Sequence, residues 1–205
     1  MNDPVTRDSQ VMAPARCTPE QASAYVFKHM QAVSNYTRVD LDKIIIPAYF
    51  AAGQLVGVDP CIAIAQMIHE TGYLSSFWSK RPRRNPAGIG VTGQTAKAVP
   101  KDGSFWDWSY DDDARIWKKG LRFDAWDTGS VPAHISRLLA YALKETQRTV
   151  EQNEYVKKHT ARRPVPPRIV GCAPTLAGLE GTWAVPGVGY ADKLAIHATR
   201  MQNQE

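Results

Sequence analysis

Three cysteines are all that this 205-residue chain contains, and no two of them stand in a Cys-x-x-Cys spacing. A cysteine zinc cluster and a thioredoxin-type redox pair are thereby excluded. The odd count argues against a scaffold that depends on disulfides. Cys61 falls in an apolar segment and reads as a buried thiol, which leaves Cys17 and Cys172 as the pair an exported chain could form. No apolar run approaches the length needed to span a membrane, so no membrane insertion is expected. Met1 to Ala15 lacks the charged start and apolar run of a secretory leader. His69-Glu70 could open a His-Glu-x-x-His metal motif, but the position of its second histidine holds Tyr73. Internal repeats, low-complexity tracts, zinc-finger spacing and RNA-recognition signatures are all missing. Nucleic acid is therefore not an expected partner, although the net charge of +5 suits anionic polymers.

What is present centres on one helix. Asp59-Pro60 is a favoured N-cap followed by a proline at the first helical position, where its missing N–H costs nothing. Cys61, Ile62, Ala63, Ile64, Ala65, Met67 and Ile68 then make the segment apolar on nearly every face, the pattern of a buried helix. Glu70 arrives in the last turn and Gly72 supplies the stop. A carboxyl there loses water and sits beside the negative end of the helix dipole. Both effects favour the protonated form, as a general acid requires. The bland alternative is a carboxylate that caps the core and pairs with an arginine. Downstream, Asn85-Pro86-Ala87-Gly88-Ile89-Gly90 is a glycine-punctuated turn of the kind that lets backbone approach a ligand.

Other helices are expected from Thr18-Pro19 to about Val33, from Asp40 or Asp42 to Leu55 with an interruption at Pro47, and from Thr128 to Tyr141 or Glu145. Two more are expected over 146–158 and from Tyr190 to Met201, with a short helical turn at Leu176–Leu179. Residues 88–118, rich in Gly, Asp and aromatics, read as a lobe of short strands. Six tryptophans offer faces on which sugar rings pack, and Trp106 and Trp108 would share one side of a strand.

Four segments in order carry a family resemblance over about Ile44–Met201. They are Gln66 to Glu70-Thr71-Gly72, Asn85-Pro86-Ala87-Gly88-Ile89, Phe123-Asp124-Ala125-Trp126-Asp127-Thr128, and Trp183-Ala184 with Tyr190-Ala191-Asp192-Lys193-Leu194. In these the chain resembles the glucosaminidase branch of the lysozyme-like superfamily, the glycoside hydrolase family 73 type. The resemblance implies an α+β fold, mainly helical and lysozyme-like, with a small β lobe flanking the cleft. It implies hydrolysis of β-1,4 glycosidic bonds in peptidoglycan, with muramidase, lytic transglycosylase or a catalytically weak wall-binding module as alternatives.

Glu70 would be the general acid. The resemblance also implies a second carboxylate in the β lobe, where Asp102, Asp107, Asp111, Asp112 and Asp113 are available. Asp111 is taken for that role, unless the substrate's acetamido group serves instead. Asn85, Gly88, Ile89, Trp106, Trp126, Trp183 and Tyr190 would bind substrate. Trp183 stands where the family usually carries a cleft-facing Tyr, and it has no phenolic proton to give. No metal or organic cofactor is expected. The expected partner is the peptidoglycan glycan strand, met by a monomer outside the cell or in the wall if a leader was trimmed, or through leaderless release of the phage-lysis type. Residues 1–17 would be a flexible arm ahead of a single 18–205 domain.

Overall fold

The computed structural model describes residues 3–99 and 107–203. Helix α1 (Pro19–His29) opens with a reciprocal cap in which the Thr18 hydroxyl accepts from Gln21 N–H and the Gln21 side chain accepts from Thr18 N–H. A single turn, α2 (Arg38–Asp40), has the same arrangement between Thr37 and Asp40. It passes through a π-turn at Leu41–Ile45 into α3 (Ile46–Val56). The interruption expected at Pro47 does not occur. Pro47 has no N–H for a carbonyl four residues back, and its ring would press on that carbonyl. The wider turn just ahead of it relieves both problems, with Ile46 N–H bonding the more distant Leu41 carbonyl. Pro132 is accommodated in the same way by a π-turn at Trp126–Ser130 that leads into α5 (Val131–Ala142).

Helix α4 (Pro60–Thr71) forms the spine. Every residue from Pro60 to Ile68 is buried, and α4 packs on α7 (Tyr190–Asn203), α3 and α5. Each of its large aliphatic side chains contributes roughly 1.5–3 kcal/mol by leaving water. Helix α6 (Val150–Thr160), capped by Thr149, lies along α5. Strands β1 (Thr95–Ala96), β2 (Trp108–Asp111) and β3 (Ile116–Lys119) form an antiparallel sheet in the order β1-β3-β2. The architecture is therefore α+β, mainly helical with one small sheet among the described residues. A second, smaller core of Ala87, Ile89, Leu121, Phe123 and Ala133 lies beside the main one, and Trp183 packs against both.

Two expectations are corrected. The N-terminal segment is not a free arm: Val5 and Val11 are buried, Val11 N–H bonds the Pro174 carbonyl, and Asp59 N–H bonds the Val11 carbonyl. The cysteine pairing also differs, since Cys17 is joined to Cys61 with a Cα–Cα separation of 6.0 Å and Cys172 is the free thiol. The backbone turn before α1 lays Cys17 directly on the first turn of α4, a closeness that residues 44 apart in sequence do not announce. Among the described residues no helix is long and apolar enough to cross a membrane.

Candidate active site

Asp59 caps α4 through Cys61 N–H at 2.9 Å, and its buried carboxylate is held by Arg16 at 2.5 Å. Burial pushes the Asp59 carboxyl up, and the backbone bond to Cys61 and the Arg16 guanidinium oppose that push. At the other end, Gly72 takes a left-handed conformation (φ 55°), and Tyr73 and Leu74 follow it there at φ 55° and 63°. Two residues with a Cβ in that region are strained, costing on the order of 1–3 kcal/mol each. Thr71 holds the turn, its hydroxyl accepting from Leu74 N–H at 2.9 Å while donating to the Met67 carbonyl at 2.6 Å. The last turn of α4 is thereby fixed on both sides of Glu70.

Glu70 is largely but not wholly buried. Its Oε1 accepts two hydrogen bonds, from the Tyr190 hydroxyl at 2.6 Å and from Trp183 Nε1–H at 3.2 Å. Its Oε2 faces Gly88, which is solvent-exposed; a methyl group built on Gly88 would lie 3.9 Å from that oxygen. The two oxygens are thus inequivalent, one occupied by donors and the other open toward the loop. Burial raises the Glu70 pKa above the ordinary carboxylate range, and the bonds from Tyr190 and Trp183 pull against it without cancelling it. The direction is the one expected from its place at the helix end.

The structure brings Glu70, Gly88, Trp183 and Tyr190 together, and it places the other named residues elsewhere. Tyr190, read as a substrate contact, is buried and serves Glu70 directly, and Gln66 Nε2 donates to its hydroxyl at 2.8 Å. Asn85 is fully buried and faces its own loop. Its amide donates to the Ile89 and Leu121 carbonyls at 2.8 Å each, and its oxygen accepts from Ala87 and Ile89 N–H. Asn85 therefore shapes the turn that presents Gly88 and does not itself reach a ligand. Ile89 belongs to the smaller core. Trp126 is buried edge-on to Tyr36 at 5.6 Å, a core residue and not a cleft wall. Trp108 is buried too, whereas Trp106 and Asp102 lie outside the described residues.

Asp111 ends β2. One carboxylate oxygen accepts from Asp113 and Ala114 N–H at 3.1 Å each, and the other meets Lys118 Nζ at 2.6 Å. The Lys118 bond and the turn amides hold its carboxyl below the usual range, so it is ionised and occupied in shaping the β2–β3 turn. Asp107 pairs loosely with Arg162 at 3.6 Å, and Asp112 and Asp113 are exposed.

Two features escaped the sequence reading. Tyr110 and Trp117 stand opposite each other across β2 and β3 with ring centroids 5.3 Å apart, and Tyr110 is exposed. Gln66 sits one helical turn before Glu70 and shares its face, a relation the i, i+4 spacing does contain. Among the described residues no three His, Cys, Asp or Glu side chains converge as a metal-ligand set. A groove of about 570 Å³ bordered by Ala48, Leu55, Tyr155 and Lys158 includes neither Glu70 nor its partners.

No family model matches the chain, and no curated protein matches it either. Solved structures similar to it include the catalytic domain of the autolysin Auto from Listeria monocytogenes, with 14% identity, 92% of this chain and 89% of that one covered, and a TM-score of 0.45. An N-acetylmuramoyl-L-alanine amidase from Staphylococcus aureus matches over 91% of this chain and 44% of its own, at 16% identity and a TM-score of 0.42. Autolysin E of S. aureus, solved with the muropeptide NAM-L-Ala-D-iGlu, covers all of this chain and 74% of its own, at 10% identity and a TM-score of 0.43.

With every TM-score below 0.5, none of these names passes to this chain. The expected membership of the glucosaminidase branch is corrected by the same findings: no family model supports it, and the names are those of autolysins and an amidase, none of a glucosaminidase. The physical reason lies in the motifs. Asn85 and Trp126, which helped to carry the resemblance, serve this chain's own turn and core and do not face a substrate cleft.

Proposed function

We propose that this chain is a cell-wall hydrolase in which Glu70 acts as general acid on a glycosidic bond of peptidoglycan. The observation that carries this reading is the asymmetry of the Glu70 carboxyl, with two donors on Oε1 and Oε2 open toward exposed Gly88. Burial favours the protonated carboxyl, and when the proton is bound it sits on the oxygen that receives no donor, so Oε2–H faces the space where a substrate can enter. Departure of a sugar alkoxide needs a proton as the C–O bond breaks, and a positioned carboxylic acid supplies it. Water then adds to the anomeric carbon, and its proton restores the acid. The exposed Gly88 has no side chain to block that approach, and Trp183 offers a ring edge beside the acid. The net charge of +5 favours encounter with an anionic wall polymer.

The test compares wild type with Glu70→Gln on purified peptidoglycan, reading turbidity, new reducing ends and new amino groups. Wild type is expected to release reducing ends, and the near-isosteric variant to lose about 10²–10⁴-fold in rate. Release of amino groups without reducing ends would move the bond to the amide between glycan and peptide and would overturn the glycosidic assignment. Inert wild type across several wall types would overturn the enzyme reading altogether.

A further inference from the structure

The Tyr190 hydroxyl is the last member of a buried chain. Tyr49 Oη lies 2.9 Å from His134 Nδ1, His134 Nε2 lies 2.8 Å from Gln66 Oε1, Gln66 Nε2 lies 2.8 Å from Tyr190 Oη, and Tyr190 Oη lies 2.6 Å from Glu70 Oε1. Tyr49, His134 and Gln66 are wholly inaccessible to water, and they come from α3, α5 and α4. We propose that Tyr49, His134 and Gln66 are positioning residues for the general acid, a hydrogen-bond chain of fixed direction that makes Tyr190 donate to Oε1 and so keeps the acidic proton on Oε2.

The direction follows from counting donors. Burial, reinforced by the nearby Arg137, lowers the His134 pKa to about 3, so the ring is neutral and carries one N–H. Gln66 Oε1 can only accept, so His134 Nε2 donates to it, which leaves His134 Nδ1 as the acceptor for the Tyr49 hydroxyl. Gln66 Nε2–H donates to the Tyr190 oxygen, and the Tyr190 proton is left for Glu70.

The opposite direction is available on paper, with the Gln66 amide turned over and every proton reversed. It would put the acidic proton on Oε1, facing Trp183 Nε1–H, which also needs an acceptor there. It would also aim the Tyr49 hydroxyl proton into the core. An orphaned buried donor costs more than an acceptor with a spare lone pair, so the chain runs toward Glu70. His69 and Lys193 approach the site from α4 and α7, but neither is a member of the chain.

The inference rests on Glu70 being the acid, and it is tested first without any reaction. The Glu70 carboxyl is titrated by carbon NMR in the free protein, in wild type, Gln66→Met and Tyr49→Phe, with Tyr36→Phe as a control. Tyr36 is buried and donates to the Ser79 carbonyl, outside the chain. Breaking the chain at Gln66 loosens the Tyr190 bond that favours ionised Glu70, so its titration moves up by about half a pH unit or more. Tyr49→Phe moves it the same way by less, and Tyr36→Phe does not move it. Tyr49→Phe removes one oxygen only and keeps the test alive if Gln66→Met does not fold.

In turnover, kcat on peptidoglycan falls about tenfold in Gln66→Met with KM unchanged, and the alkaline limb of the kcat profile follows the NMR titration. An unmoved titration in a folded chain variant, or an equal movement in Tyr36→Phe, overturns the proposal whatever the activity. A wild type that shows the expected titrations but cleaves nothing leaves the chain standing and removes the hydrolase reading instead.

Discussion

Replacing Glu70 by Gln should make the protein more stable at neutral pH while removing the proposed cleavage, and the structure gives the sign of the stability change. In the unfolded chain the carboxyl titrates at its ordinary value of 4.5. In the fold, burial holds it above that, and the opposing bonds from Tyr190 and Trp183 do not restore it. Below the unfolded value both states carry the proton, and the neutral acid is well accommodated. As pH rises, the unfolded chain ionises first, so stability is lost until the folded carboxyl has ionised too.

Each pH unit of separation between the two titrations is worth about 1.4 kcal/mol. Gln keeps the shape, and its oxygen still accepts from Tyr190 and Trp183, but it never acquires the charge. The variant should therefore be the more stable of the two at pH 7.5, and each kcal/mol of that gain is read as about 2–4 °C in Tm for a domain of this size. The gain should vanish near pH 4. Thermal melts of both proteins across that range supply the measurement, and every other titrating group cancels in the difference. A Tm difference that does not change with pH, or a variant less stable at neutral pH, would mean that the fold favours the Glu70 charge. Burial would then not hold the proton on Glu70.

The other expectations concern what holds α4 in place. Cys17→Ser with Cys61→Ser opens a loop of 44 residues and should cost about 4 kcal/mol by the chain-entropy model, read as a lowered guanidinium midpoint. Arg16→Ala leaves the buried Asp59 carboxylate without its partner and should cost about 3–5 kcal/mol, whereas adding Asp59→Asn to that variant should return part of the loss. Asp111→Asn should lower Tm through the lost Lys118 pair while keeping cleavage within about tenfold of wild type. A loss matching that of Glu70→Gln would instead make Asp111 the second catalytic carboxylate.

The helix bearing Glu70 was legible because its signals are local: an Asp cap, a proline at the first position, an unbroken apolar run and a glycine stop lie within fourteen residues (59–72). The Thr18 cap is of the same kind. Tyr190 could not be read in that way, because its bond to Glu70 spans 120 positions and depends on how α7 lies against α4. Asn85 and Trp126 show the reverse limit. A polar residue in a glycine-rich turn and an indole near a presumed cleft look outward on paper, yet one satisfies its own backbone and the other fills the core. Pro47 misled for a physical reason as well, since the rule that proline ends a helix assumes regular turns before it, and a π-turn lifts the clash. Cysteine partners depend on which segments fold back on each other, and composition carries none of that.

The bond between Cys17 and Cys61 has one more effect, on what happens when the chain is cut. Residues 17–61 form a closed covalent ring that contains α1, α2 and α3, and the exposed stretch at Gln31-Ala32-Val33 is part of it. A protease that nicks this connection divides the sequence but not the molecule. The two pieces stay joined at the first turn of α4, and they part on a gel only after a reductant is added. The fold thereby tolerates a cut at a surface it cannot hide.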